Sequence, residues 1–362
     1  MTVYVYVYLA VTILTFQAEK SDYRPPRLST NGKVRHKRST RTLIFLSAAI
    51  LIFVSGFRHA VGTDFYHYYF FQSITFQKVL EHLKDLDEPI QPLFYYVIQR
   101  FTADRWVPIF AFSAFTTGLA IKVIRDNTNK LCMSILLYLF LGCWTDSFNA
   151  VRQCMAASIL FCGLPYLKNK QFAPYCAVVL LAFFTHRSSV VMIVPYFVLH
   201  NKINIRNILL LLIGTVVVLL SYSRLFSFTE AVLQQGTLSS DIAYYHTGVS
   251  IARVLAAAAP AVYFLLFYSG AVLDDEKVFY LNITVIHATL MLVTIRSAYL
   301  ARVSLYTAPF LAVAIPKLNS GLHNRNRKLG STGMFILYSA YWFYDIYAHS
   351  DLNQFHWAWE VW

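Results

Sequence analysis

Apolar runs of roughly 16 to 20 residues, each bounded by charge, recur along almost the whole chain. They fall at 1–16, 42–57, 105–124, 131–146, 150–167, 173–186, 188–200, 208–222, 251–269, 279–295, 299–316 and 331–348. Helices are the expected form, because lipid offers no partner to an unpaired backbone amide or carbonyl. Several runs are short, and Pro165, Pro174, Pro195, Pro260 and Pro309 are expected to kink or end helices. One further stretch, Pro92 to Phe101, is apolar but too short to span, and Arg100 and Arg105 close it off. It predicts an interfacial helix near 92–104. The expected fold class is therefore all-α: one polytopic transmembrane bundle over residues 1–362, with about 10–12 spans.

Composition agrees with this pattern. Of the 362 residues 57% are hydrophobic and only 14% charged, where a soluble domain carries roughly a quarter charged residues. The five cysteines all lie in apolar stretches with no CxxC spacing, so they read as small packing residues. Met1 to Phe16 lacks the leading basic region and small-residue cleavage site of a signal peptide, and is expected to be a retained first span.

Charge then orients the chain. The net charge of +13 would suggest nucleic acid in a soluble protein, but no basic-aromatic binding module accompanies it. It fits cytoplasmic loops facing anionic lipid instead. The loop 17–41 holds eight of the basic residues, from Lys20 to Arg41, and is expected to be cytoplasmic. Alternation from there places most of the 31 Lys and Arg on that side. Both termini and the long loops 58–104 and 223–250 fall outside.

Basic residues on the disfavoured side need a reason, and most of them are arginines, whose fork of donors suits phosphate or carboxylate. They lie in four clusters. The first, Arg58 to Tyr68, sets Asp64 beside Arg58 at the mouth of the bundle, with Gly62 as a turn and Tyr68 on the face of Asp64. Helix capping would also explain Asp64. The second, Asn149, Arg152 and Gln153 with Ala156, forms one helical stripe. An interhelical hydrogen-bond network would explain it too, although an arginine favours an anion site. The third is His186-Arg187-Ser188 at a tight outer turn, where a histidine is either structural or a base. The fourth is Arg296, Tyr299, Arg302 and Tyr306, the last three on one stripe suited to a phosphate or a sugar. No HExxH, P-loop, GxSxG or DDxxD-like motif occurs, so no metal or other cofactor is expected. A site away from cytoplasmic nucleotides needs a donor already activated in the membrane.

Together these pieces resemble the EpsG-like branch of Wzy-type polysaccharide polymerases. The matching residues are Arg58 with Val61-Gly62-Thr63-Asp64 and Tyr68, Glu88-Pro89, Asn149-x-x-Arg152-Gln153, Phe184-x-His186-x-Ser188 and Arg302-x-x-x-Tyr306. Gln91-Pro92 and Arg187 depart from the usual pattern. The resemblance implies a glycosyltransferase at the outer face of a bacterial inner membrane. It would move a growing O-antigen or capsular glycan from undecaprenyl pyrophosphate onto a new lipid-linked repeat unit, with membrane lipid and a chain-length regulator protein as further partners and no nucleic acid. On that reading Arg152 and Arg302 bind the pyrophosphate, supported by Arg58 and Arg296, and Asn149, Gln153, Tyr68, Tyr299 and Tyr306 complete the substrate contacts. The expected base is Asp64, followed by His186 and Glu88. The rivals are a lipid-linked oligosaccharide flippase and an O-antigen ligase. Charge gathered at one face argues against the first, and the modest 223–250 loop against the second.

Overall fold

The computed structural model describes the chain except residues 23–26, 29–33, 71–72, 202–212, 215–216, 218–248, 269–272, 297, 349 and 361–362, and except the side chains of 27–28, 35, 296, 298–300 and 350–351. The described chain is helical almost throughout, an all-α bundle as the apolar runs predict. Four helices are long and apolar enough to cross a membrane: α1 (Thr2–Ser21), α2 (Arg38–Gly56), α6 (Trp106–Asn127) and α13 (Asp275–Val293). Between α2 and α6 lie three short helices, α3 (Phe65–Tyr69), α4 (Phe76–Lys84) and α5 (Ile90–Ile98). After α6 come α7 (Leu131–Phe140), α8 (Val151–Cys162), α9 (Leu164–Lys168), α10 (Phe172–Thr185) and α11 (Ile193–Val198). The second half is α12 (Ile251–Phe267), α13, α14 (Ala298–Ser304), α15 (Ala308–Ser320) and α16 (Asn324–Ala348). The expected span 208–222 and outer loop 223–250 lie almost wholly outside the described residues.

Helix α1 shows how the sequence sorts inside from outside. Its buried residues Tyr4, Val7, Val11, Thr15 and Ala18 step by three and four. Its exposed face is just as apolar, with Tyr6, Leu9, Ile13 and Phe16 turned outward. A helix apolar on all sides belongs in lipid. At the centre of the bundle, α7 and α15 are buried on nearly every face. The Tyr4 ring meets Trp144, Trp342 and Phe355 edge-on, at centroid distances of 6.2, 6.2 and 5.8 Å, which ties the first helix to the last.

Several expected spans are broken. The run at 150–167 divides at Gly163 into α8 and α9, with Pro165 in the first turn of α9. The run at 299–316 divides into α14 and α15 around Leu305–Thr307, with Pro309 in the first turn of α15. The basic loop 17–41 is also shorter than expected, because α1 runs on to Ser21 and α2 starts at Arg38. Helix α5 ends at Ile98, earlier than the expected 104, and its inner residues Gln91, Pro92 and Tyr95 are buried. It packs through Tyr95 on Tyr68, Phe112, Val151 and Met155, so one face is committed to the bundle.

The two ends of the bundle are distinct. At one end Arg58–His59 pairs antiparallel with His356–Trp357, and the N-terminal ammonium donates to the Asn353 carbonyl at 2.8 Å. At the other end the α1–α2 connection is held by His36, which contacts Asp22 and the Arg125 carbonyl.

Candidate functional site

Glu88 organises the first end. It lies between α4 and α5 with a left-handed backbone, φ 49°, two residues after Leu86 with φ 53°. Such values are uncommon outside glycine and cost about 1–2 kcal/mol each. The clamp that holds them is Arg187. Its Nε donates to the Leu86 carbonyl at 2.8 Å, one terminal nitrogen donates to the Asp85 carbonyl at 3.1 Å, and that nitrogen is 3.3 Å from the Asp87 carboxylate. The Arg187 backbone amide donates to Glu88 Oε1 at 3.0 Å.

Two further side chains converge on the same carboxylate. Arg152, in the first turn of α8, donates to Glu88 Oε2 at 2.7 Å. His186, at the end of α10, places Nδ1 2.6 Å from Oε1, close but poorly aligned for a hydrogen bond. Burial pushes the Glu88 carboxyl up, but His186, the Arg187 amide and the charge of Arg152 outweigh it and hold the carboxyl below its ordinary value. Glu88 is 8% exposed, whereas the side chains of Arg152 and His186 keep 38% and 24% of their surface. The carboxylate is a buried anchor with two reachable groups in front of it.

Tyr68 and Arg152 are hydrogen-bonded to one another. Burial pushes the Tyr68 phenol up, Arg152 opposes that, and nearby Asp64 adds to it, which places Asp64 on the same side of the cluster. Gln153 donates to the Arg302 carbonyl at 2.8 Å, and Tyr306 shares a hydrogen bond of 2.7 Å with Ser188. The chain segments at 64–68, 88, 152–153, 186–188 and 302–306 therefore meet at one place. Among the described residues no three His, Cys, Asp or Glu side chains come together as a metal site would need.

Five of the expected residues lie otherwise than their sequence neighbourhood suggests. Arg58 does not stand at the mouth with Asp64. It is 2% exposed, stacks on the Phe148 ring at 4.7 Å, and donates to the carbonyls of Ser55, Val61 and Phe148 and to the Ser113 hydroxyl. Its donors are directed into the protein. Asn149 precedes α8, so it is off the Arg152 stripe, and its Oδ1 accepts from the Thr63 amide at 2.6 Å. Asp64 is the first-turn cap position of α3 but makes no side-chain cap; its Oδ1 accepts from Thr63 Oγ1 at 3.3 Å. Tyr306 sits beyond the end of α14 and is fully buried, so no sugar can stack on it, while Arg302 is exposed. Glu88, ranked last as base, is the hub. The side chains of Arg296 and Tyr299 lie outside the described residues. Arg187, a departure from the family pattern, stands in the third sequence cluster without a role, and its place directly after His186 was the available signal for one.

A family model described as the EpsG family matches residues 41–358, a stretch that includes every segment of this cluster. No curated protein and no solved structure matches the chain. The family match extends over most of the sequence, and this membrane protein belongs to the EpsG family of Wzy-like polymerases.

Proposed function

We propose that the chain is a polysaccharide polymerase, a metal-independent glycosyltransferase that moves a growing glycan from undecaprenyl pyrophosphate onto a newly delivered lipid-linked repeat unit. The observation that carries the reading is the convergence of Arg152 and His186 on one buried carboxylate, Glu88, within a chain of the EpsG family. The reaction asks for two things: a cation for the departing pyrophosphate and a base for the attacking hydroxyl. Arg152 spends one nitrogen on Glu88 and has side-chain surface left for phosphate oxygens. His186 has Nδ1 2.6 Å from Glu88 Oε1, which leaves Nε2 to take the acceptor proton beside a carboxylate that favours the imidazolium formed. The acceptor oxygen bonds to the anomeric carbon, the bond from that carbon to the pyrophosphate oxygen breaks, and the hydroxyl proton passes to His186. Asp64, on the same side, is the alternative base.

The charge pattern of the loops supports an active face on the outer side of a bacterial inner membrane. The test is glycan laddering in a strain lacking the gene. Complementation with the unaltered chain gives a ladder, and Arg152→Ala gives single repeat units only. His186→Gln behaves as Arg152→Ala, and Asp64→Asn keeps the ladder. The reverse result for the last two moves the base to Asp64. Lipid-linked units stranded on the cytoplasmic face in the deletion strain would replace the polymerase by a flippase.

A further inference from the structure

A cavity with a volume of about 1190 Å³ lies not at the Glu88 cluster but at the opposite end of the bundle. It opens between the end of α1, the start of α7, the end of α15 and the start of α16. Its floor is apolar: Phe16, Met133, Leu136 and Phe335 line it. Its rim is basic. The acids in the lining are Glu19 and Asp22, and both are engaged. Glu19 holds Lys130 Nζ at 3.4 Å and the Cys132 amide at 3.1 Å, and Asp22 holds His36 and the Lys37 amide. Lys20 lies over the Phe16 ring at 4.6 Å, and Arg327 donates to Asn324, a neutral partner. Lys328 is exposed at the same rim. The adjoining sequence 23–33 has Arg24, Arg27 and Lys33 as its charged residues and no carboxylate. Lys20, Arg327 and Lys328 thus lack an acid partner among the described residues, above a floor that a small hydrated anion would leave wet, and Lys37 Nζ donates to the Ser21 carbonyl. In the wall, Asn319 Oδ1 is buried without a hydrogen-bond partner.

We propose that this cavity binds an anionic amphiphile, a phosphate-bearing lipid whose head lies among Lys20, Arg327 and Lys328 and whose hydrocarbon covers Phe16, Met133 and Phe335. The chemistry divides as the cavity does: charge-assisted hydrogen bonds at the rim and burial of apolar surface on the floor. The site faces away from the polymerase cluster, and the proposal stands or falls independently of that reading.

The test uses the purified full chain in a neutral detergent, titrated with phosphatidylglycerol or phosphatidylcholine and followed by native mass spectrometry. The unaltered chain retains phosphatidylglycerol at least about tenfold better than phosphatidylcholine, as two or three basic contacts predict. The double variant Lys20→Gln, Lys328→Gln loses that preference, and Arg325→Gln, outside the lining, keeps it. Met133→Trp, which fills the floor without touching charge, weakens phosphatidylglycerol retention too, so the result does not depend on a single variant staying folded. Equal retention of the two lipids, or a double variant that behaves as the unaltered chain, overturns the proposal and leaves a hydrated vestibule. Displacement of phosphatidylglycerol by glycerol phosphate at equal concentration overturns it in favour of a free-phosphate site.

Discussion

A carboxylate held by an arginine, a histidine and a backbone amide behaves differently from a surface acid. Because the Glu88 carboxyl is held below its ordinary value of 4.5, the folded chain binds that proton more weakly than the unfolded chain does. Its contribution to stability is present above that ordinary value and is lost as pH falls through the lower, folded-state one. Thermal melts of the unaltered chain and Glu88→Gln, taken from neutral pH down to about 3, should differ most near neutrality and converge at the acid end. Arg187 acts on the same residue from the other side. Arg187→Ala frees the 85–88 turn and should lower polymer laddering roughly tenfold, as displacing a reacting group by a fraction of an ångström does. Arg187→Lys should not rescue it, since a lysine cannot span two carbonyls and a carboxylate at once. Sequence named Glu88, Arg152 and His186 as candidates but ranked Asp64 ahead of His186 and Glu88 as the base. Glu88 meets its partners 64 and 99 residues further along the chain, and its neighbours in sequence say nothing of that. Arg58 misled for the opposite reason: its neighbour Asp64 is close in sequence, while the guanidinium turns inward to carbonyls.

At the scale of elements, hydropathy located the long described helices, passed over the short α3 and α4, and misplaced the breaks. A run such as 299–316 is apolar throughout, and the turn at Leu305–Thr307 costs little because hydroxyls bond the freed backbone. Thr307 Oγ1 donates to the Ser304 carbonyl at 3.0 Å and lies 2.8 Å from His287 Nδ1. No average over residues can register two hydroxyls. The turn at Gly62, by contrast, was legible, because glycine in a charged, aromatic neighbourhood has few other uses. Its φ is 93°, and an added Cβ would lie 2.7 Å from the Phe148 carbonyl oxygen and 2.5 Å from Asn149 Oδ1. Gly62→Ala therefore combines an unfavourable backbone with a clash against fixed main chain. It should destabilise the protein by at least about 2 kcal/mol, seen as a lower melting temperature in detergent. It should also disturb the site, because the same contact sets the start of α3 and so Tyr68.

For the molecule as a whole, the Glu88 cluster and the basic-rimmed cavity occupy opposite ends of one bundle. With the five cysteines replaced by serine, Asp64→Cys should react with a membrane-impermeant maleimide on intact cells, and Arg325→Cys only after permeabilisation. Labelling of both from one side would contradict a bundle that crosses the bilayer. The bundle also closes on itself. Tyr4 of α1 packs on Trp342 of α16, the N-terminal ammonium meets Asn353 from 352 residues away, and the strand at Arg58–His59 pairs with His356–Trp357. During synthesis the first helix reaches the bilayer long before its partners exist. It must wait there beside lipid or an insertion factor until the ribosome has delivered α16 and the strand at His356–Trp357. Cells expressing a chain cut short before residue 342 should accordingly hold an inserted but unclosed protein, exposed to membrane proteases for as long as it lasts.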